Sequence, residues 1–173
     1  MLGLDSNVLV RYLVRDDQQQ FDKARRLIKR EADKGEPVLV SLLVLLETEW
    51  VLRSRYELSK PEILSALSTL LDTSDLAFED EPSIERALYS WKDSVADFAD
   101  CLIEARNRRL GCQATATFDT RALRLAGFIS ASGARRFEVE RDRSREQALK
   151  RLRALKRPLP NGFRFDQDEA NAR

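Results

Sequence analysis

Short apolar segments alternate along this chain with longer stretches whose apolar residues recur at helical spacing. Strands that alternate with helices in this way form a mostly parallel sheet with helices packed against it. The sequence therefore predicts an α/β fold. The predicted strands lie near residues 1–4, 37–41, 75–79 and 113–118, and the predicted helices lie near residues 8–14, 21–32, 42–52, 61–71, 82–91 and 97–109.

The sequence contains no histidine. Catalysis by Ser-His-Asp or Cys-His groups is therefore excluded, as are histidine-ligated zinc and a histidine general base. The two cysteines, Cys101 and Cys112, are too few for a four-thiolate metal site and could form at most one disulfide. Any chemistry must rest on carboxylates, hydroxyls, Lys and Arg side chains, or a metal bound by oxygen.

Acidic residues stand at positions where an α/β fold builds its sites. Asp5 and Asp119 each end a predicted strand, Asp97 and Asp100 open a predicted helix, and Glu47 lies alone in an apolar helical run. Taken singly, structural roles are favoured: turns or caps for the aspartates, and an arginine partner for Glu47. Carboxylates gathered in one crevice would repel one another, and Mg²⁺ is the simplest compensation.

Four blocks of sequence, in one order, resemble PIN-domain ribonucleases, and in particular the VapC-type toxins of bacterial toxin–antitoxin pairs. The resemblance covers residues 1 to about 131 and implies a three-layer fold with a central, mostly parallel sheet flanked by helices. The blocks are LDSNVLVRYL (4–13), LLVLLETEWVLRSRY (42–56), ADFADCLIEA (96–105) and ATFDTRAL (116–123).

The resemblance implies cleavage of RNA that depends on Mg²⁺ or Mn²⁺. Matched residue by residue, Asp5, Glu47, Asp100 and Asp119 are the four family acids, and Asp97 is a candidate fifth. These residues are the predicted catalytic and metal-binding set. Metal-activated water needs no histidine, which agrees with the composition.

Two further positions follow from the same match. Ser6 stands where the family often has threonine, so a supporting hydroxyl is retained beside Asp5. Glu49 competes with Glu47 for the role of second acid, but the two lie about 200° apart around a helix and do not point inward equally. The resemblance also implies a homodimer.

The end of the chain differs from the body in charge. Residues 1–132 carry 18 Lys and Arg against 22 Asp and Glu, a net −4, whereas residues 133–173 carry 12 against 7, a net +5. Residues 138–173 predict a charged helix and an extended tail, and residues 149–173 resemble the toxin-binding C-terminus of a VapB-type antitoxin. We therefore expect a nuclease domain at 1–131, a linker at 132–137 and an inhibitory segment at 138–173.

The inhibitory segment has candidate anchors of two kinds. Phe163 and Phe165 lie on one side of an extended stretch and are expected to fill apolar pockets of a toxin domain. Arg164 or Arg173 is expected to reach the carboxylates and take the place of metal, with Arg173 favoured because Arg164 would face away. The alternative is a solvated basic helix that binds RNA.

Other functions remain open from the sequence. One is a binding module with structural acids and a basic RNA-binding tail, and another is a relative of the 5′ flap nucleases, for which residues 1–131 leave little room. A dinucleotide-binding fold is disfavoured because no G-x-G-x-x-G motif occurs. No apolar run is long enough to cross a membrane and no leader is recognisable, so a cytoplasmic protein without a membrane partner is expected.

Overall fold

Two pairs of parallel strands form the sheet structure of residues 1–132, the part of the chain that the computed structural model describes. β1 (Val38–Val40) pairs with β2 (Leu76–Phe78), and β3 (Thr115–Thr117) pairs with β4 (Phe128–Ser130). Gly3 forms a parallel bridge with Leu39, so the N-terminal segment runs beside β1. The strands are short, and the helices supply most of the packing surface.

Helices connect the strands and begin at residues suited to capping. The side chains of Asp5, Asp17, Ser41 and Asp80 each accept a hydrogen bond from a backbone N–H at the start of a helix. Within residues 1–132, no helix combines the length and the apolar composition needed to cross a bilayer. The α-helices are α1 (Ser6–Val14), α2 (Gln18–Ala32), α3 (Leu42–Ser54), α4 (Lys60–Leu71), α5 (Glu81–Lys92) and α6 (Phe98–Arg109), and a 3₁₀ turn spans Ala122–Arg124.

The core lies between the strands and the apolar faces of the helices. Each fully buried leucine or phenylalanine contributes about 1.5–3 kcal/mol relative to exposure. The rings of Trp91 and Phe98 lie 5.3 Å apart and join the end of α5 to the start of α6. This contact positions the first turn of α6, which carries two of the predicted site residues. Fully buried side chains include Leu9, Val38, Val40, Leu45, Leu67, Ile84 and Phe98.

The α/β fold with parallel strands flanked by helices is confirmed, and three local details differ. The segment 1–4 forms a single bridge rather than a strand, and β4 occupies residues that were not predicted as a strand. The sequence allows Ser6 or Asn7 as the cap of the first predicted helix, but the cap is Asp5. β4 was not predicted because residues 128–130 form a strand only through their pairing with β3.

Both cysteines are free thiols. Cys101 is buried in α6, and Cys112 is exposed beyond the end of that helix. Burial raises the pKa of Cys101 to about 11, with a further contribution from the charge of Asp100. The Cys101 thiol is therefore un-ionised near neutral pH and is not a nucleophile.

Candidate active site

The first turn of α6 presents two carboxylates. Asp97 is the cap residue, and its backbone N–H donates a hydrogen bond to Oδ2 of Asp100 at 3.3 Å. Acidic residues are favoured at this end of a helix because its N–H groups lack partners and its dipole attracts negative charge. The helix start therefore holds both acids in fixed relation to one another.

Asp119 is held by the loop that follows β3. Its backbone N–H donates to Oγ1 of Thr117 at 3.0 Å, and its Oδ1 accepts from the backbone N–H of Arg121 at 2.7 Å. These two bonds tie the loop to the last residue of the strand and to the turn beyond it. They fix the carboxylate next to the strand end, as expected for a site in an α/β fold.

Asp119 lies close to the acids of α6. Nη2 of Arg121 is 3.4 Å from Oδ2 of Asp97 and 3.9 Å from Oδ2 of Asp119, so one guanidinium faces acids from two elements. Burial raises the pKa of Asp100, and the negative charges of Asp119 and Asp97 raise it further; the hydrogen bond from Asp97 and the charge of Arg121 oppose these effects. Three carboxylates therefore share one electrostatic environment, which we call the acid cluster (Asp97, Asp100 and Asp119).

Asp5 occupies the end of the N-terminal extended segment. Its Oδ1 accepts from the backbone N–H of Ser6 at 2.8 Å, and the preceding N–H, that of Leu4, donates to the carbonyl of Leu39 at 2.9 Å. Ser6 is buried in the first turn of α1. Within residues 1–132, no hydrogen bond or ion pair joins Asp5 to the acid cluster.

The two glutamates that compete for the second-acid role lie on different faces of α3. We expected Glu47 to be the carboxylate in apolar surroundings, but Glu47 is exposed, on the same helix face as Leu43 and Trp50. Glu49 is the buried acid, and its Oε1 accepts from Nε of Arg53 at 2.8 Å. The apolar run around Glu47 misled the sequence analysis, because a helix in such a run still has one face toward solvent.

Arg53 and Arg121 were missed by the sequence analysis. The hydrogen bond with Glu49 raises the pKa of Arg53, and the charge of Asp97 adds a smaller effect, so Arg53 also lies near the acid cluster. The position of Arg121, two residues after Asp119, could have indicated from the sequence that it lies near that acid. Nothing in the sequence indicated its contact with Asp97, 24 residues earlier.

The donor chemistry of the acid cluster suits a hard divalent cation. Carboxylate oxygens are the preferred ligands of Mg²⁺ and Mn²⁺. Burial, and to a smaller extent the charges of Asp119 and Asp97, raises the pKa of Asp100, and a bound cation would favour its ionised form. Among residues 1–132, no three His, Cys, Asp or Glu side chains converge closely enough to ligate one ion. The acids fit the ion in their chemistry, and their side chains would have to move closer together to hold it.

The predicted inhibitory residues Phe163, Arg164, Phe165 and Arg173 lie outside the described residues. So do the segment 138–173 and all of the predicted linker except Ser132. Their roles stay predictions.

The chain belongs to the PIN domain family, because the family model for the PIN domain matches residues 3–128. It is also similar to a VapC ribonuclease of Aquifex aeolicus (strain VF5). The two sequences are 23% identical over 122 residues, which cover 70% of this chain and 90% of that relative. The residues matched by the family model, 3–128, include the five acids predicted from the sequence: Asp5, Glu47, Asp97, Asp100 and Asp119.

Proposed function

We propose that the protein is a metal-dependent RNA endonuclease, the toxin of a type II toxin–antitoxin pair, which hydrolyses phosphodiester bonds. Membership of the PIN family and similarity to a VapC ribonuclease support this function. The observation that carries it is the acid cluster, in which one guanidinium, that of Arg121, lies 3.4 Å from Asp97 of the α6 cap and 3.9 Å from Asp119 of the β3 loop.

In this proposal Asp5, Glu47, Asp100 and Asp119 hold the cation, and Asp97 is a fifth acid at its edge. Bound there, Mg²⁺ or Mn²⁺ supplies an activated water and stabilises charge on the phosphate. The chain positions these acids through the cap of α6 and the two hydrogen bonds of Asp119. The Ser6 hydroxyl supports the first acid.

The acids can be tested with single-stranded RNA and the full chain carrying Phe163→Ala and Phe165→Ala, which should relieve the inhibition proposed below. Asp100→Asn and Asp119→Asn should each lower Mg²⁺-dependent cleavage at least about 100-fold, because losing even an outer-shell partner of a metal costs 10–100-fold. Asp72→Asn is the matched control, since Asp72 is an exposed acid at the end of α4. Circular dichroism should show the same fold for all variants, and full activity in Asp100→Asn would disprove the assignment.

The proposal includes inhibition by residues 138–173, supported by the resemblance of residues 149–173 to an antitoxin C-terminus and by the opposite net charges of tail and body. In the full chain, Phe163→Ala with Phe165→Ala should increase RNA cleavage, and so should Arg173→Ala. Gln167→Ala is the control within the same segment. Equal activity in all four proteins would show that the tail does not inhibit. RNA as substrate, an antitoxin as partner, a homodimer and a cytoplasmic location complete the proposal.

The second candidate is a nucleic-acid-binding module with structural acids and a basic RNA-binding tail. The observation in its favour is that Arg121 already balances the charge of Asp97 and Asp119. This function predicts that RNA affinity survives Asp100→Asn and that the wild-type chain never cleaves RNA with Mg²⁺ or Mn²⁺ present. Measuring binding and cleavage in one titration separates the two functions.

A further inference from the structure

The side chain of Arg121 is held loosely against the acid cluster. Its Nη2 approaches Asp97 at 3.4 Å and Asp119 at 3.9 Å, both longer than a strong charge-assisted hydrogen bond, and 57% of the side chain is exposed. Its backbone N–H, in contrast, is fixed to Oδ1 of Asp119 at 2.7 Å. The residue is therefore anchored at its backbone, while its guanidinium can leave the acids without breaking a short bond.

Two other arginines pair with buried acids at shorter distances. Arg53 donates to buried Glu49 at 2.8 Å, and Arg109 lies 2.8 Å from Oδ1 of Asp80, whose side chain is almost completely buried. Within residues 1–132, Arg121 is the only residue that forms ion pairs with members of the acid cluster. Its partners Asp97 and Asp119 are solvent-accessible carboxylates, whereas Arg53 and Arg109 pair with buried ones.

We propose that Arg121 is a positioning residue with two alternating partners: it neutralises Asp97 and Asp119 when no metal is bound, and it contacts a phosphate of the RNA backbone when a divalent cation occupies the acids. This inference rests on the proposed function and deepens it. Arg121 would leave the acids when the cation binds and would then help to hold the substrate.

The exchange follows from charge. A guanidinium and a divalent cation repel each other, so a cation bound by Asp97 and Asp119 removes the attraction that holds Arg121 there. The released guanidinium remains tethered through its backbone next to Asp119, where the proposed function places the substrate phosphate. Arginine forms two parallel N–H to oxygen bonds with phosphate, which suits it to this second partner.

Metal affinity gives the first test. Titration of Mn²⁺ into the full chain, followed by electron paramagnetic resonance, should show several-fold tighter binding for Arg121→Gln than for wild type, because the competing cation is gone. Arg124→Gln is the matched control: Arg124 is exposed in the adjacent 3₁₀ turn, and no hydrogen bond or ion pair within the described residues joins its side chain to the acids. A fixed structural ion pair would also give tighter metal binding when Arg121 is removed, so the RNA measurement below separates the two roles.

RNA affinity gives the second test, with a fluorescently labelled single-stranded RNA in the presence of Ca²⁺. Arg121→Gln should weaken binding and reduce the slope of log K against log salt concentration by about 0.7, the loss of one phosphate contact on a single strand. Arg121→Lys should restore part of the affinity, and Arg124→Gln should behave as wild type.

The two results together decide the inference. Tighter Mn²⁺ binding with weaker RNA binding supports it, whereas unchanged Mn²⁺ affinity, or an RNA salt slope equal to that of wild type, overturns it. If the wild type binds Mn²⁺ and cleaves RNA while Arg121→Gln matches it throughout, only this inference fails. Because the proposed tail would block both metal binding and cleavage, the wild type is compared with Arg173→Ala. If neither chain binds Mn²⁺ or cleaves RNA, the proposed function fails and this inference fails with it.

Discussion

The backbone N–H of Asp97 donates to Oδ2 of Asp100 at 3.3 Å, so the cap of α6 and the acid in its first turn are joined by one hydrogen bond. The same two residues carry charges that repel each other and Asp119. The helix start is thus built to hold an arrangement that is unfavourable without a compensating cation. Each substitution here should change stability and activity in opposite directions.

The pKa of Asp100 gives a prediction for pH. Because burial and neighbouring acids raise it in the folded state, the native chain binds more protons than the unfolded chain between the unfolded value, about 4, and the higher folded value. This residue therefore lowers stability as pH rises through that window. In chelator at pH 7, Asp100→Asn should melt at a higher temperature than wild type, and the difference should shrink toward pH 4.

Differential scanning calorimetry over this pH range checks the prediction. Asp72→Asn, the remote acid, should follow the wild-type curve. A lower melting temperature for Asp100→Asn at neutral pH would show that the hydrogen bond from Asp97 outweighs the repulsion.

Asp80 should behave in the opposite way. Burial acts to raise its pKa, but hydrogen bonds from Ser83 and Arg106 and the charge of Arg109 together hold the pKa below its usual value. This acid therefore stabilises the fold above the unfolded pKa, and the stability is lost as pH falls through the folded value. Asp80→Ala should cost about 2 kcal/mol at pH 7, because it removes the cap of α5 and leaves the buried Ser83 hydroxyl without its acceptor.

Urea denaturation of Asp80→Ala at pH 7 and at acid pH measures this loss. The cost should shrink as the wild-type carboxylate becomes protonated. This network stabilises α5 and contains no member of the acid cluster. The Mn²⁺ affinity of folded Asp80→Ala should therefore equal that of wild type. A cost below about 0.5 kcal/mol, the level of an ordinary surface substitution, would contradict the prediction.

Gly127 is required by both its conformation and its neighbour. Its φ is +102°, and a Cβ placed there would lie 2.4 Å from Oε1 of buried Glu104, which binds Arg86 and Arg108. Gly127→Ala should destabilise the fold by about 2 kcal/mol or more. Gly35→Ala is the control, because Gly35 also has positive φ but no atom within 4 Å of the added carbon, so it should cost only about 1 kcal/mol.

Thermal denaturation of both glycine variants tests the difference. If the close contact causes the loss, Gly127→Ala should cost less stability in a Glu104→Ala chain than in wild type, a comparison that cancels the ion pairs lost with Glu104. Equal destabilisation by the two glycine variants would mean that Glu104 moves aside freely.

The glutamates of α3 should separate stability from activity. Glu49→Gln weakens the buried pair with Arg53 and should cost about 1–2 kcal/mol of stability. Glu47→Gln changes an exposed side chain, so it should leave stability within about 0.5 kcal/mol of wild type, and under the proposed function it should lower RNA cleavage at least about 100-fold. If Glu49→Gln abolishes cleavage while remaining folded and Glu47→Gln does not, the second acid was assigned to the wrong residue.

The helices were predictable from local sequence because their determinants are local. Apolar spacing, the length of apolar runs and capping residues together predicted all six within a few residues of their observed bounds. The proximity of Asp97 to Asp100 was likewise predictable, since residues three apart in a helix share a face. The motif blocks predicted the family, because their order along the chain is itself sequence information.

Tertiary structure alone decided which distant groups meet. Sequence patterns did not show that β4 pairs with β3, that Glu49 rather than Glu47 is buried, or that Arg121 reaches Asp97. A helix or a cap depends on hydrogen bonds across three or four residues, which a short window of sequence contains. Contacts between separate elements depend on how whole faces of helices and strands pack together, and this packing is determined by the complete core.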